Sequence, residues 1–180
     1  MARVFIAAAL VVLAAPLVRA QEAETAERVE WSVATGYGFP VHLNRGNSNE
    51  HVVLIAPSYA IRLSERLDYV LEGHIGLYTS PGGYMLGFMP FDFRFYVLTG
   101  ETRPYITVAA GVGWTNLDRL IEIDTHFNFL LQPAVGIRGK LHDGQSWSFE
   151  ARFNHISNSG VKLPNLGLNT VVFLFGWHYR

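Results

Sequence analysis

The chain contains no cysteine. Disulfides and thiolate metal centres are excluded, so an exported chain of this kind must be held together by packing and hydrogen bonds. Charge is also scarce. Asp, Glu, Lys and Arg make up 16% of the 180 residues, against about 25% in an average soluble domain. The charges nearly cancel, at −1 net, and nothing marks a nucleic-acid-binding surface. After the first 20 residues there is no run of roughly 18 apolar residues, which excludes a spanning helix. Yet 49% of the chain is hydrophobic and 13% aromatic. A chain so apolar, so poor in charge and without a spanning helix needs a lipid-facing surface of another kind.

At the N-terminus, Arg3 precedes an apolar run over residues 4–17, and Val18-Arg19-Ala20 follows. This is the pattern of a secretory signal peptide. Cleavage is expected after Ala20. Residues 1–20 are read as signal and residues 21–180, beginning at Gln21, as one domain. Loss of Arg3 and Arg19 takes the net charge from −1 to −3.

The remainder divides into eight segments of alternating polarity, over residues 31–42, 51–63, 67–78, 84–98, 105–114, 126–140, 147–157 and 169–180. A strand places successive side chains on opposite faces. In the third segment Leu67, Tyr69, Leu71, Ile75 and Leu77 share one face, and Asp68, Glu72 and His74 the other. In the fourth, Met85, Met89, Phe91, Phe93 and Phe95 oppose Asp92 and Arg94. In the seventh, Trp147, Phe149, Ala151 and Phe153 oppose Glu150 and Arg152.

A soluble barrel would bury its apolar face. Here the bulky rings are too many for the interior of a barrel this small. Arg62, Asp68, Glu72, Asp92, Arg94, Arg138, Glu150 and Arg152 could instead neutralise one another inside a narrow lumen. The expected fold is therefore all-β: an eight-stranded antiparallel transmembrane barrel of outer-membrane type, apolar outside and polar inside, closed so that no strand edge meets lipid. Short turns are expected after segments two, four and six, and longer outward loops after one, three, five and seven. Trp31, Trp114, Trp147 and Trp177 suit interfacial aromatic girdles.

The chemistry lies near the C-terminus, in His155-Ile156-Ser157-Asn158-Ser159-Gly160 and Pro164-Asn165-Leu166-Gly167-Leu168-Asn169. His155 and Ser157 are two residues apart on a strand and project to one side, so a base and a hydroxyl nucleophile can meet. They continue the row of Phe149, Ala151 and Phe153, which is the lipid face. Asn169 opens the corresponding row of the next strand. A polar cluster in an apolar belt is costly and calls for a function.

These residues resemble the outer-membrane lipid A 3-O-deacylases of the PagL type. The resemblance rests on His155-x-Ser157-Asn158-x-Gly160 followed by Pro164-Asn165-x-Gly167, with Thr125 to Phe129 and the barrel pattern in support. It implies an esterase with His155 as general base and Ser157 as nucleophile. Asn158 and the backbone N–H near Gly160 become candidate oxyanion donors. Asn169 stands where the family has a glutamate that orients the histidine. Its amide oxygen can still accept from the imidazole, without supplying charge. The implied partners are lipid A, or lipopolysaccharide, and membrane lipid in the bacterial outer membrane, with a homodimer left open.

Other residues carry less. His126 could bind a lipid phosphate or be a loop-end histidine. His74 and His178 face the lumen as network partners. His42 and His51 flank a polar loop without metal-ligand geometry. Gly36-Tyr37-Gly38 precedes no helix and is not a nucleotide fingerprint. Neither metal nor cofactor is expected. Arg45 and Arg119 could contact lipid phosphates or be solvated loop charges. Two further readings stand beside the esterase: a non-catalytic structural or adhesive barrel, and a small-solute pore.

Overall fold

The computed structural model describes residues 28–43, 49–80, 82–120, 122–163 and 165–180. The expected signal peptide, the start at Gln21, Arg45 and Pro164 lie outside them. The strands are β1 (Val29–Pro40), β2 (His51–Ser64), β3 (Leu67–Ser80), β4 (Gly83–Tyr96), β5 (Thr102–Thr115), β6 (Phe127–Lys140), β7 (Gln145–Ser157) and β8 (Leu168–Tyr179). Each pairs antiparallel with the next, and β1 pairs with β8 to close the barrel. Closure satisfies the backbone groups of every strand and leaves no edge open to lipid.

The alternation sorts as its polarity demands. Phe93, Phe95, Val108, Phe149, Phe173 and Phe175 are exposed on the outer wall. Trp31, Trp147 and Trp177 gather near one rim, where Trp31 pairs with Tyr179 and Trp147 with Trp177. Trp114 lies at the opposite rim, at the end of β5.

The lumen has two layers. Toward the rim with the short turns it is a charge network. Arg152 is paired with Glu72 and with Glu150, the latter at 2.7 Å, and donates to Gln132 at 2.9 Å. Arg138 is paired with Glu30, to which His178 is bound at 3.1 Å. His74 and Gln132 meet at 2.9 Å. His74 and His178 are thus network partners, as their parity suggests. Tyr105 donates to Glu150 at 2.9 Å and lies so close to β6 that a Cβ on Gly136 would meet its ring at 2.3 Å. Toward the other rim the filling is apolar: Val52, Leu54, Met85, Met89, Leu130, Ile156, Leu168 and Val172. Leu117 and Ile123, from the β5–β6 connection, join this cluster. Such filling suits a barrel of eight strands and opposes the pore reading.

Two expectations are corrected. Met85 and Met89 do not face lipid. Both are fully buried in the lumen, while Leu86 and Phe88 are exposed. The register of β4 shifts by one residue against both neighbours, between Phe88 and Phe91 toward β5 and opposite Val70 to Glu72 toward β3. One extra residue in a strand is a β-bulge, and it reverses the parity of everything beyond it. The bulge falls at Pro90, which cannot donate to a ladder and is tolerated there; its carbonyl accepts from Tyr69 Oη at 2.7 Å. The second correction concerns the β3–β4 connection. β3 ends at Ser80 and β4 begins at Gly83, so two residues join them rather than a long loop. The other three connections at that rim, residues 41–50, 116–126 and 158–167, are long.

Candidate active site

β7 and β8 run antiparallel in a register that sets His155 directly opposite Asn169 and Ile156 opposite Leu168. Ile156 and Leu168 are buried in the lumen. The alternate row, with His155 and Ser157, is therefore on the outer wall, where both are partly exposed. His155 Nδ1 lies 2.7 Å from Asn169 Oδ1. An amide oxygen only accepts, so Nδ1 carries the proton and Nε2 presents its lone pair. Asn169 is 7% exposed, which shields this hydrogen bond from solvent. Ser157 leaves the same face two residues on, about 7 Å away along the strand. Among the described residues, its hydroxyl makes no hydrogen bond and His155 makes only the one to Asn169.

The strand ends where the chain turns out of it. Ser159 and Gly160 both have positive φ, at 55° and 79°. Asn158 drives the turn with its side chain, in the manner of asparagine in tight turns. Its Oδ1 accepts from Gly160 N at 2.9 Å. Its Nδ2 donates to Ile123 O at 2.6 Å and to Lys162 O at 2.9 Å. Its backbone N donates to Asn165 Oδ1 at 3.1 Å.

Asn158 is 1% exposed, and both amide hydrogens are committed to carbonyls. The side chain expected to face an oxyanion thus builds the loop instead. Gly160 N, the other expected donor, is held by Asn158 Oδ1.

The loop over residues 158–167 rests on the β5–β6 connection. Besides Asn158 to Ile123, Gly167 N donates to Glu122 O at 2.9 Å, and Lys162 Nζ pairs with Asp124 at 2.9 Å. Ile123 is fully buried in the lumen. The site is therefore supported by the apolar plug of the barrel, a link across 35 residues that strand alternation does not reveal.

His126 stacks on Trp114 with ring centroids 5.0 Å apart, and its Nδ1 lies 2.9 Å from Thr115 O and 3.3 Å from Asp118. It is held as a loop-end histidine. His51 sits beside the rings of Tyr37 and Phe39, at 5.8 and 5.9 Å. Arg119 donates to Gly82 O at 2.9 Å. Among the described residues, no group of three or more His, Asp or Glu could hold a metal ion.

The family model for lipid A 3-O-deacylase (PagL) matches residues 31–178. Among solved structures, the outer membrane enzyme PagL superposes with a TM-score of 0.60 at 20% identity, over 82% of this chain and 97% of that one. The outer membrane protein OprG from Pseudomonas aeruginosa follows at a TM-score of 0.46 and 8% identity, over 85% and 97%. None of the curated proteins matches significantly. At such identities the structural likeness is one of fold. The family match, by contrast, spans nearly the whole barrel and includes the histidine, the serine and the asparagine that lie at its rim. The chain is an outer-membrane β-barrel that belongs to the lipid A 3-O-deacylase (PagL) family.

Proposed function

We propose that the protein removes the 3-O-linked acyl chain of lipid A by a serine-histidine mechanism at the outer leaflet. The observation that carries this reading is the 2.7 Å hydrogen bond from His155 to Asn169 across the β7–β8 pair, with Ser157 in the same lipid-facing row. In an outer-membrane barrel the rim with the long loops faces outward. The row therefore opens on the leaflet that holds lipid A.

Asn169 holds the imidazole in the tautomer that leaves Nε2 basic. Nε2 takes the hydroxyl proton of Ser157 as Oγ attacks the acyl carbonyl carbon. The tetrahedral oxyanion is held by the backbone N–H groups of Asn158 and Gly160, each leaving a side-chain acceptor (Asn165 Oδ1 and Asn158 Oδ1) to do so. Collapse expels the sugar alkoxide, which recovers the proton from His155. Water, deprotonated by the same Nε2, then cleaves the acyl-serine and releases the fatty acid. No metal or cofactor takes part.

One observation favours a second reading, a barrel with a degenerate site. Asn169 is neutral and stabilises an imidazolium less well than a carboxylate. Expression in the outer membrane of a Gram-negative host separates the two. The mass spectrum of lipid A should lose one hydroxyacyl chain with the wild-type protein and none with Ser157→Ala. Deacylation retained in Ser157→Ala removes the serine from the mechanism. No deacylation by a folded wild-type barrel favours the degenerate site.

A further inference from the structure

The rim with the short turns has its own cavity, far from the lipid-facing row. It measures about 230 Å³ and is lined by five cationic side chains, Arg62, Arg103, Arg138, Lys140 and Arg180, with one acidic residue, Glu101. These residues come from the ends of β2, β5 and β6, the β4–β5 turn and the C-terminus. In an outer-membrane barrel this rim faces the periplasm.

The charges there do not close among themselves. Arg103 and Arg138 are directly paired across β5 and β6. Like charges directly opposite one another on a sheet repel. Both converge on Tyr96. Arg103 stacks on the ring at 4.1 Å, and Arg138 donates to the hydroxyl at 3.0 Å. The buried Glu30 is shared by Arg138, Arg180 and His178. Asp68 is shared by Tyr96, at 2.9 Å, and Arg62, at 3.5 Å. Arg62 Nε and Nη2 are buried and make no hydrogen bond. Lys140 and Arg103 have no carboxylate partner among the described residues. Guanidinium groups with open donors, beside an excess of positive charge, match the oxygens of a phosphate.

We propose that this periplasmic mouth is a binding site for a small phosphate-class anion. The ligand enters from the aqueous side. It bridges Arg62, Arg103 and Lys140 and relieves the Arg103–Arg138 repulsion. Free phosphate and a phospholipid headgroup share this chemistry. The cavity opens within the barrel mouth rather than on its lipid-facing wall, which favours the soluble ion.

The test is calorimetric titration of the refolded barrel, in zwitterionic lipid nanodiscs, with inorganic pyrophosphate and, separately, inorganic phosphate. Saturable binding of one ion per chain is expected, weakened at least about tenfold in Arg103→Gln/Lys140→Gln and by high salt. Both side chains lie at the rim, and heat-modifiable gel mobility checks that the variant is folded. Arg66→Gln, a turn residue outside the lining, should bind like the wild type. Absence of saturable binding to the wild type overturns the proposal, as does undiminished binding to the folded double variant. Absence of soluble-ion binding, with anionic phospholipid retained by the wild-type barrel and lost by the double variant, overturns the soluble ligand in favour of a headgroup.

Discussion

Gly167 lies against the imidazole of His155: a Cβ at residue 167 would stand 2.7 Å from His155 Cε1. The same glycine has a φ of 74° and donates its N–H to Glu122 O. One residue of the second motif thus turns the chain, ties it to the neighbouring connection and leaves room for the His155 ring.

Gly167→Ala should therefore lower deacylation while sparing the barrel. The new methyl group displaces the ring from Asn169, and the left-handed backbone adds about 1 kcal/mol of local strain. At least tenfold slower lipid A conversion is expected, with normal heat-modifiable mobility. Full activity in this variant would show that the ring position is not critical.

Asn169→Asp keeps the shape of the side chain and adds a charge. A charged acceptor holds an imidazolium better by about 1 kcal/mol or more, which corresponds to roughly fivefold to tenfold in rate. The variant should gain turnover, and Asn169→Leu should lose nearly all of it. The measurement is the initial rate of acyl release from purified lipid A in detergent. A slower Asp variant would count against His155 as the base.

Asn158→Ala removes three side-chain hydrogen bonds, to Gly160 N, Ile123 O and Lys162 O. At about 1 kcal/mol each, roughly 3 kcal/mol of local stability is lost. The loop over residues 158–167 should become sensitive to protease added outside intact cells, and activity should fall with it. Protease resistance equal to wild type would mean that the plug does not hold the loop.

Arg152→Met tests the lumen. Arg152 is paired with both Glu72 and Glu150, and all three are buried. Removing the cation takes the ion-pair partner from Glu72 and from Glu150, which keeps its hydrogen bond from Tyr105, at a cost of about 3–5 kcal/mol. Guanidinium unfolding of the reconstituted barrel should shift by that amount. The triple change Glu72→Gln, Glu150→Gln, Arg152→Met should recover a large part of it, because both carboxylates that lost their partner are then neutral.

The strand count, the closed barrel and most facings are legible from alternation, since the pleat repeats every two residues whatever the partner. Phe149, Phe153 and Phe175 needed nothing more. Met85 and Met89 were misread because a bulge at Pro90 changes the count within one strand, and nothing in the local polarity marks it: methionine is as apolar as the phenylalanines that follow. The β3–β4 turn escaped for a related reason, since Thr79, Ser80 and Gly83 look like loop residues yet extend the ladder. Asn158 was assigned to the reaction by its place in the motif. Its amide is committed to Ile123 O, a carbonyl 35 positions away that no spacing rule points to.

Residue types and their period of two suffice to require a lipid-facing barrel, and the spacing of His155 and Ser157 suffices to place both side chains in one row on its wall. Both are local properties that any pairing of the strands would preserve. Register is not local. It is accumulated around the ring, and one inserted residue changes it. That is why the tertiary structure alone decided that Asn169 faces His155 rather than a neighbour, that Glu72 reaches Arg152 across 80 positions, and that the outer half of the lumen is an apolar plug on which the site rests.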